Sequence, residues 1–471
     1  GRLVLGPVQR QAYFDATQFY NATLQAEIAD LREGLPDDVR VIEIDMYTAF
    51  NALLDRADEL GFTNTTDQCL EDDACRNNEP GVPESFVFWD TTHPTEVAHG
   101  LVAGLMADVL NIGGVRGAGG LRAASLSQSF RTALTGALRA RMGYVSRTFR
   151  APEAAPAPAA AFGMSQSPER FADTLLSVDQ AGEQPLGQEL APRSQIQEPH
   201  VFIMVQAGWS DLGEVGYLSD SGSAGQVGSA DTNTYTVTAG WDGMLSPHVF
   251  GGVAGFYGWG QSEAAGFDSD LMTGGAALYG SYLSGNFHAD LSLTYALQSL
   301  DSTRMTGIGL AAEGDTDGRE FGADFQIGYD YSAGSWMVSP VAGVSFARHT
   351  IDGYTETEAP SLNLSYSDQT IETLLGRVEV SGARGFSTDW ADGGLVHLAL
   401  GFEADLIGTG HKLTIENRSA TGAGATALNF EDRDRRAITG RVGLRLPLSD
   451  RLQGDLYYDG AFAVSDIEDT S

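Results

Sequence analysis

Apolar and polar side chains alternate strictly from about residue 198 onward. In "TYTVTAGWDG" Tyr235, Val237, Ala239 and Trp241 fall on one face, and Thr234, Thr236, Thr238, Gly240 and Asp242 on the other. "NFHADLSLTYALQS" sets Phe287, Ala289, Leu291, Leu293, Tyr295 and Leu297 against His288, Asp290, Ser292, Thr294 and Gln298. "FGADFQIGYD" and "LVHLALGFEAD" repeat the pattern, with Phe321, Phe325, Ile327, Leu398, Leu400 and Phe402 opposite Asp324, Gln326, His397 and Glu403. A period of two is the signature of strands with one oily and one polar face. The runs are about ten residues or longer and carry aromatics near their ends, which predicts strands long enough to cross a bilayer with a wet interior. Short links at "LSPH", "LSGN", "SAGS" and "PLSDR" alternate with long ones at 211–230, 302–317, 350–367 and 410–433. About eleven strands are expected, from near His200 to near Val464, where an even number is the rule for bacterial barrels.

The first hundred residues have a different pattern. Phe19, Leu24, Ile28 and Leu31 recur at helical spacing in a run that ends near Gly34 and Pro36. Val39, Val41, Ile42 and Ile44 in "VRVIEIDMYTAF" predict a short buried strand. Val97, Leu101, Leu105, Met106, Val109 and Leu110 form one stripe, so a core-facing helix is expected with Pro94 near its first turn. Beyond the break "GGVRGAGG", Leu126, Phe130, Leu134, Leu138 and Met142 recur every four residues. That amphipathic helix carries Arg131, Arg139, Arg141, Arg147 and Arg150, suited either to lipid headgroups or to an acidic interior. A stiff Ala-Pro spacer, "APEAAPAPAAA", and a weaker helical pattern at 167–180 follow.

Charge narrows the partners: 63 acidic against 28 basic residues give a net charge of -35, which opposes binding to nucleic acid. Cys69 and Cys75, the only two cysteines, sit six residues apart, too few for a four-cysteine metal site; a disulfide is expected, with free thiols as the alternative, and it places this part outside the cytoplasm. No metal and no cofactor is called for, and His248, His288 and His397 show no ligand spacing.

Candidate chemistry lies in "FWDTTHPT", residues 88–95, where Asp90 precedes His93 on a loop before a helix. A serine hydroxyl becomes a useful nucleophile only when an imidazole takes its proton and a carboxylate holds that imidazole. Asp90 and His93 supply such a pair, unless Asp90 merely caps the turn. The block "FWDTTHPTEVAH" resembles the last motif of the GDSL or SGNH esterases and lipases, whose DxxHP sequence holds two triad members, and the likeness extends over about residues 12–110. The resemblance implies that Asp90 orients the imidazole and that His93 is the base. It also implies a Gly-Asp-Ser nucleophile block and oxyanion-hole residues, which are absent from these 471 residues. "GWSDLG", with Ser210, has the wrong order and falls on a strand. The block is expected upstream of Gly1, so that this segment alone is inactive.

The C-terminal pattern resembles the translocator domain of autotransporters, a twelve-stranded barrel with a helix in its pore. One more strand is then expected beyond "SDIEDTS". Arg377, Glu379, Glu403, Asp405, Arg441 and Arg445 should point inward, as a lining that grips the linker helix or as an ordinary solvated lumen. The expected organisation is multidomain: an α/β SGNH-hydrolase-like passenger part over 1–112, a linker with an amphipathic helix over 113–197, and an outer-membrane antiparallel β-barrel over 198–471. The combination resembles the esterase autotransporters of Gram-negative bacteria. It implies a monomer anchored in outer-membrane lipid and inserted by the barrel assembly machinery, with its passenger at the cell surface acting on an ester or lipid substrate. A non-enzymatic autotransporter or adhesin, or a porin with a soluble appendage, is the rival reading.

Overall fold

The computed structural model describes residues 7–36, 39, 41–110, 121–150, 200–212, 215–219, 224–227, 229–388, 391–407, 412–430, 436–449 and 452–463. Helix α1 (Pro7–Glu33) covers the first helical run. The stretch expected as a strand is not one: its described residues 41–45 are irregular and lead into helix α2 (Met46–Asp55), capped by the Asp45 carboxylate on the Thr48 N–H at 3.0 Å. Apolar composition alone does not make a strand without an edge to pair with, and the Glu43 N–H finds its acceptor on Thr421 O, at 2.9 Å, far along the chain. The small sheet here is instead Asn64–Gln68 paired in parallel with Phe86–Phe88. Between them, the short helix α3 (Asp73–Arg76) brings Cys75 to Cys69, and the two form the expected disulfide, buried against Phe86. Helix α4 (Glu96–Leu110) buries Ala98, Leu105 and Val109, whereas Met106 and Leu110 of the expected stripe are exposed.

Helix α5 (Leu121–Arg150) realises the every-fourth-residue pattern in full: Leu126, Phe130, Leu134, Leu138 and Met142 are all buried. The weaker helical pattern at 167–180 lies outside the described residues. Around α5 runs a strongly curled antiparallel half-barrel. Its long strands pair in chain order: His200–Leu212, Ala230–Ser246, Val249–Ala264, Phe267–Ser284, Phe287–Met305, Ala311–Tyr329, Trp336–Ile351, Gln369–Thr388, Ala391–Asp405, Arg436–Ser449 and Leu452–Ala463. The first and last are not paired with each other among the described residues.

The sheet is inside out by the standards of a water-soluble protein. Leu291, Tyr295, Leu297, Phe325, Ile327 and Leu400 are exposed, while Thr236, Thr238, Asp242, Asp290, Ser292 and Asp324 are buried. An exposed apolar face opposite a polar interior is the arrangement that lipid selects. Phe130 fits because Gly258 and Gly260 leave room for it: a Cβ added at Gly258 would lie 2.7 Å from Phe130 Cε1. Burying five such side chains contributes roughly 1.5–3 kcal/mol each.

Arginines fix the helix further. Arg139 Nη2 lies 2.7 Å from Asp324 Oδ1, Arg131 Nη2 is 3.4 Å from Asp324 Oδ2, and Arg141 is paired with Asp242, which also accepts from the Tyr279 hydroxyl at 2.5 Å. The charged part of the grip runs through Asp324 and Asp242, and Arg131 also donates to Phe346 O at 2.6 Å and Ser345 Oγ at 2.9 Å. Arg377 does turn inward, but it donates to Gln326 Oε1 at 2.7 Å and stands 3.6 Å from Glu379. Arg445, Arg147 and Arg150 have side chains outside the described set.

The long links are not irregular loops. The link expected over 302–317 is mostly strand, with only 306–310 as a turn, because Phe287–Met305 and Ala311–Tyr329 stay paired up to Met305 and Ala311. The other three fold into a second, six-stranded sheet of short strands: Val215–Ser219, Ala224–Val227, Tyr354–Thr355, Ser365–Tyr366, Lys412–Glu416 and Ala425–Phe430. Arg304, at the end of its long strand, makes a buried bidentate pair with Glu356, 2.8 and 2.6 Å, and pins one of these links down.

Candidate active site

Three elements meet where the sequence places the acid and the histidine. The Phe86–Phe88 strand is fully buried and delivers the chain to Trp89. The loop then folds back: Phe88 bridges Pro94, the Trp89 N–H donates to His93 O at 2.9 Å, and the Thr95 N–H donates to Val87 O at 2.9 Å. Thr95 closes the turn. Its hydroxyl donates to Phe86 O at 2.7 Å and accepts from the Ala98 N–H at 3.4 Å, so it joins the strand to the first turn of α4. Its burial is nearly complete.

Within this frame Asp90 and His93 come together. Asp90 Oδ1 accepts the Thr92 and His93 backbone N–H groups at 2.7 and 2.8 Å, and His93 Nδ1 lies 2.8 Å from Asp90 Oδ2 and 3.1 Å from Oδ1. The capping role and the imidazole-orienting role, which compete on sequence grounds, are held by one carboxylate at once. The backbone N–H of His93, then its imidazole, then the Thr92 N–H lower the Asp90 carboxyl from 3.8 to about 2. A carboxylate at Nδ1 fixes the tautomer with the proton there and leaves Nε2 as the basic nitrogen. The His93 side chain is 69% exposed, so that nitrogen belongs to an open surface.

Ser210 is not part of this arrangement; it lies within the His200–Leu212 strand, opposite Thr232 of the half-barrel. His288 pairs with Asp290 at 3.0 Å in the interior, and among the described residues no group of three or more potential ligands is placed to hold a metal. Two supports of the site escape a sequence reading. Thr95 sits beside Pro94, where a helix N-cap is a recognisable signal. The disulfide loop is the other: Leu70 N–H donates to Trp89 O at 2.9 Å, and nothing in the spacing of Cys69 and Cys75 announces that contact.

A family model described as the autotransporter beta-domain matches residues 213–459, more than half of the chain. The chain belongs to the autotransporter β-domain family. Its β-domain is inserted in the outer membrane and its passenger is exposed at the surface. The region ahead of the β-domain resembles an esterase. Esterase EstA of Pseudomonas aeruginosa is 28% identical over 188 residues, 38% of this chain and 29% of that protein. Acetylajmalan esterase 2 of Rauvolfia serpentina is 34% identical over 109 residues, 20% of this chain and 30% of that protein. The chain thus spans less than a third of the length of these relatives. Among solved structures, the translocator domain of the autotransporter NalP from Neisseria meningitidis aligns with a TM-score of 0.43 at 14% identity, covering 56% of this chain and 83% of that one.

Proposed function

We propose that this autotransporter displays a carboxylic ester hydrolase at the cell surface, and that the chain carries the base and orienting half of a Ser-His-Asp mechanism. The observation that carries the reading is the Asp90–His93 pair, with Nδ1 2.8 Å from the carboxylate. In this mechanism His93 takes the proton of a serine hydroxyl as it attacks the ester carbonyl and returns it to the leaving alcohol. Asp90 stabilises the imidazolium formed between those steps. The serine comes from a Gly-Asp-Ser block that these 471 residues do not contain. Residues 1–112 then form the C-terminal part of the esterase passenger, 113–197 the linker, and 198–471 the β-domain. That domain closes as a monomeric, twelve-stranded barrel inserted by the barrel assembly machinery. The distant likeness to two proteins named esterases supports the same chemistry.

The test is hydrolysis of p-nitrophenyl butyrate by intact cells that display the protein from its own gene. His93→Ala and Asp90→Asn are each expected to lower kcat by roughly 10⁴-fold with the amount of displayed protein unchanged. Unchanged turnover in both variants overturns the reading. The purified 471-residue chain is expected to turn over no ester.

A further inference from the structure

The passenger and the loop sheet share one apolar core. Ala49 of α2 and Leu105 and Val109 of α4 are buried in the same cluster as Ile308, Leu310 and Leu413 from the β-domain links. Polar contacts surround it. Arg32, in the last turn of α1, pairs with Glu43 at 2.6 Å and donates to Thr421 O at 2.7 Å, and the Arg56 guanidinium donates to Glu358 O. The Asp108 carboxylate accepts the Gly307 N–H. At one point the backbones nearly touch: a Cβ added at Gly104 of α4 would lie 2.4 Å from Gly307 O, so that only glycine allows the helix to seat there.

We infer that the six-stranded loop sheet, with the 306–310 turn, is a docking platform that holds the passenger on the β-domain by non-covalent contact, in addition to the linker through α5. Elements joined only by a flexible link share small, polar contacts and move relative to one another. Here buried aliphatic side chains from both sides interdigitate, a close-packed arrangement that forfeits its contacts once separated. Helix α4 is the element seated on the platform, and its first turn carries the Asp90–His93 loop, so docking also fixes where that loop stands above the membrane. The inference concerns retention and does not rest on ester hydrolysis.

The experiment uses the full chain folded in detergent, with a specific protease site inserted between Leu110 and Leu121. After cutting, residues 1–110 are expected to remain with the β-domain through size-exclusion chromatography. Leu310→Asp, which leaves the passenger's own sequence untouched, is expected to cut the retained fraction about tenfold or more. Gly104→Leu is expected to do the same from the other side. Retention of native, heat-modifiable mobility on SDS gels shows in each case that the β-domain is folded. Dissociation of the fragment from the unsubstituted chain on cutting overturns the inference, as does full retention in the Leu310→Asp chain.

Discussion

Both oxygens of Asp90 are engaged within four residues of chain, by two backbone N–H groups and one imidazole. Those partners favour the charged form, which is why its carboxyl falls to about 2. The sign of the pH dependence follows. A depressed acid contributes its full loop-ordering effect above its ordinary value of 3.8 and loses it as pH falls through about 2. In a carboxyl ¹³C titration of the folded chain, Asp90 is expected to titrate near 2. In His93→Ala the midpoint moves upward only part of the way to 3.8, because the backbone donors remain. A midpoint already at the ordinary value in the unsubstituted chain would show that the pair is not formed. At this scale the sequence was highly legible. Three residues on a tight turn allow the acid and the histidine little choice but to meet.

Helices and strands were legible where the pattern was long. The spacing of Leu126 to Met142 reports a helix that must bury one stripe, and Phe287 to Leu297 reports a strand with two unlike faces. Short segments gave less. Val41 to Ile44 has strand-like composition, yet it lies irregular, because pairing is decided by what edge is near rather than by the residues themselves. Thr95 shows how one hydroxyl can join two elements. Thr95→Val leaves Phe86 O without its donor and the first turn of α4 without its acceptor, a cost of about 1–2 kcal/mol. The Ala98 amide is therefore expected to exchange with deuterium roughly 5–30 times faster in the variant, while strands of the β-domain keep their protection. Equal protection at Ala98 in the two proteins would remove Thr95 from that role.

For the molecule as a whole, the decisive feature is which face of the sheet is dry. Outward leucines and aromatics meet lipid, and the polar interior is filled by α5, whose arginines neutralise carboxylates that would otherwise be buried alone. Asp324 serves two of them. Removing one partner of such a buried set is costly because the remaining charges stay desolvated. Asp324→Asn is expected to destabilise the folded β-domain by about 3 kcal/mol. The readout is a lower temperature for loss of its compact mobility on SDS gels. An unchanged transition would mean that the remaining partners of Arg131, Phe346 O at 2.6 Å and Ser345 Oγ at 2.9 Å, hold the helix without the carboxylate.

Order along the chain was enough for the elements whose periodicity spans many residues, for the meeting of Asp90 and His93, and for the change of pattern near residue 198. Each of these depends on local spacing, and local spacing is written directly in the order of residues. Tertiary structure alone decided that Arg131, Arg139 and Arg141 answer to Asp324 and Asp242, that three long links become a second sheet, and that the passenger shares a core with it. Those outcomes join residues up to several hundred positions apart, as Arg32 and Thr421 are. Their energies come from complementary surfaces that exist only after each part has folded.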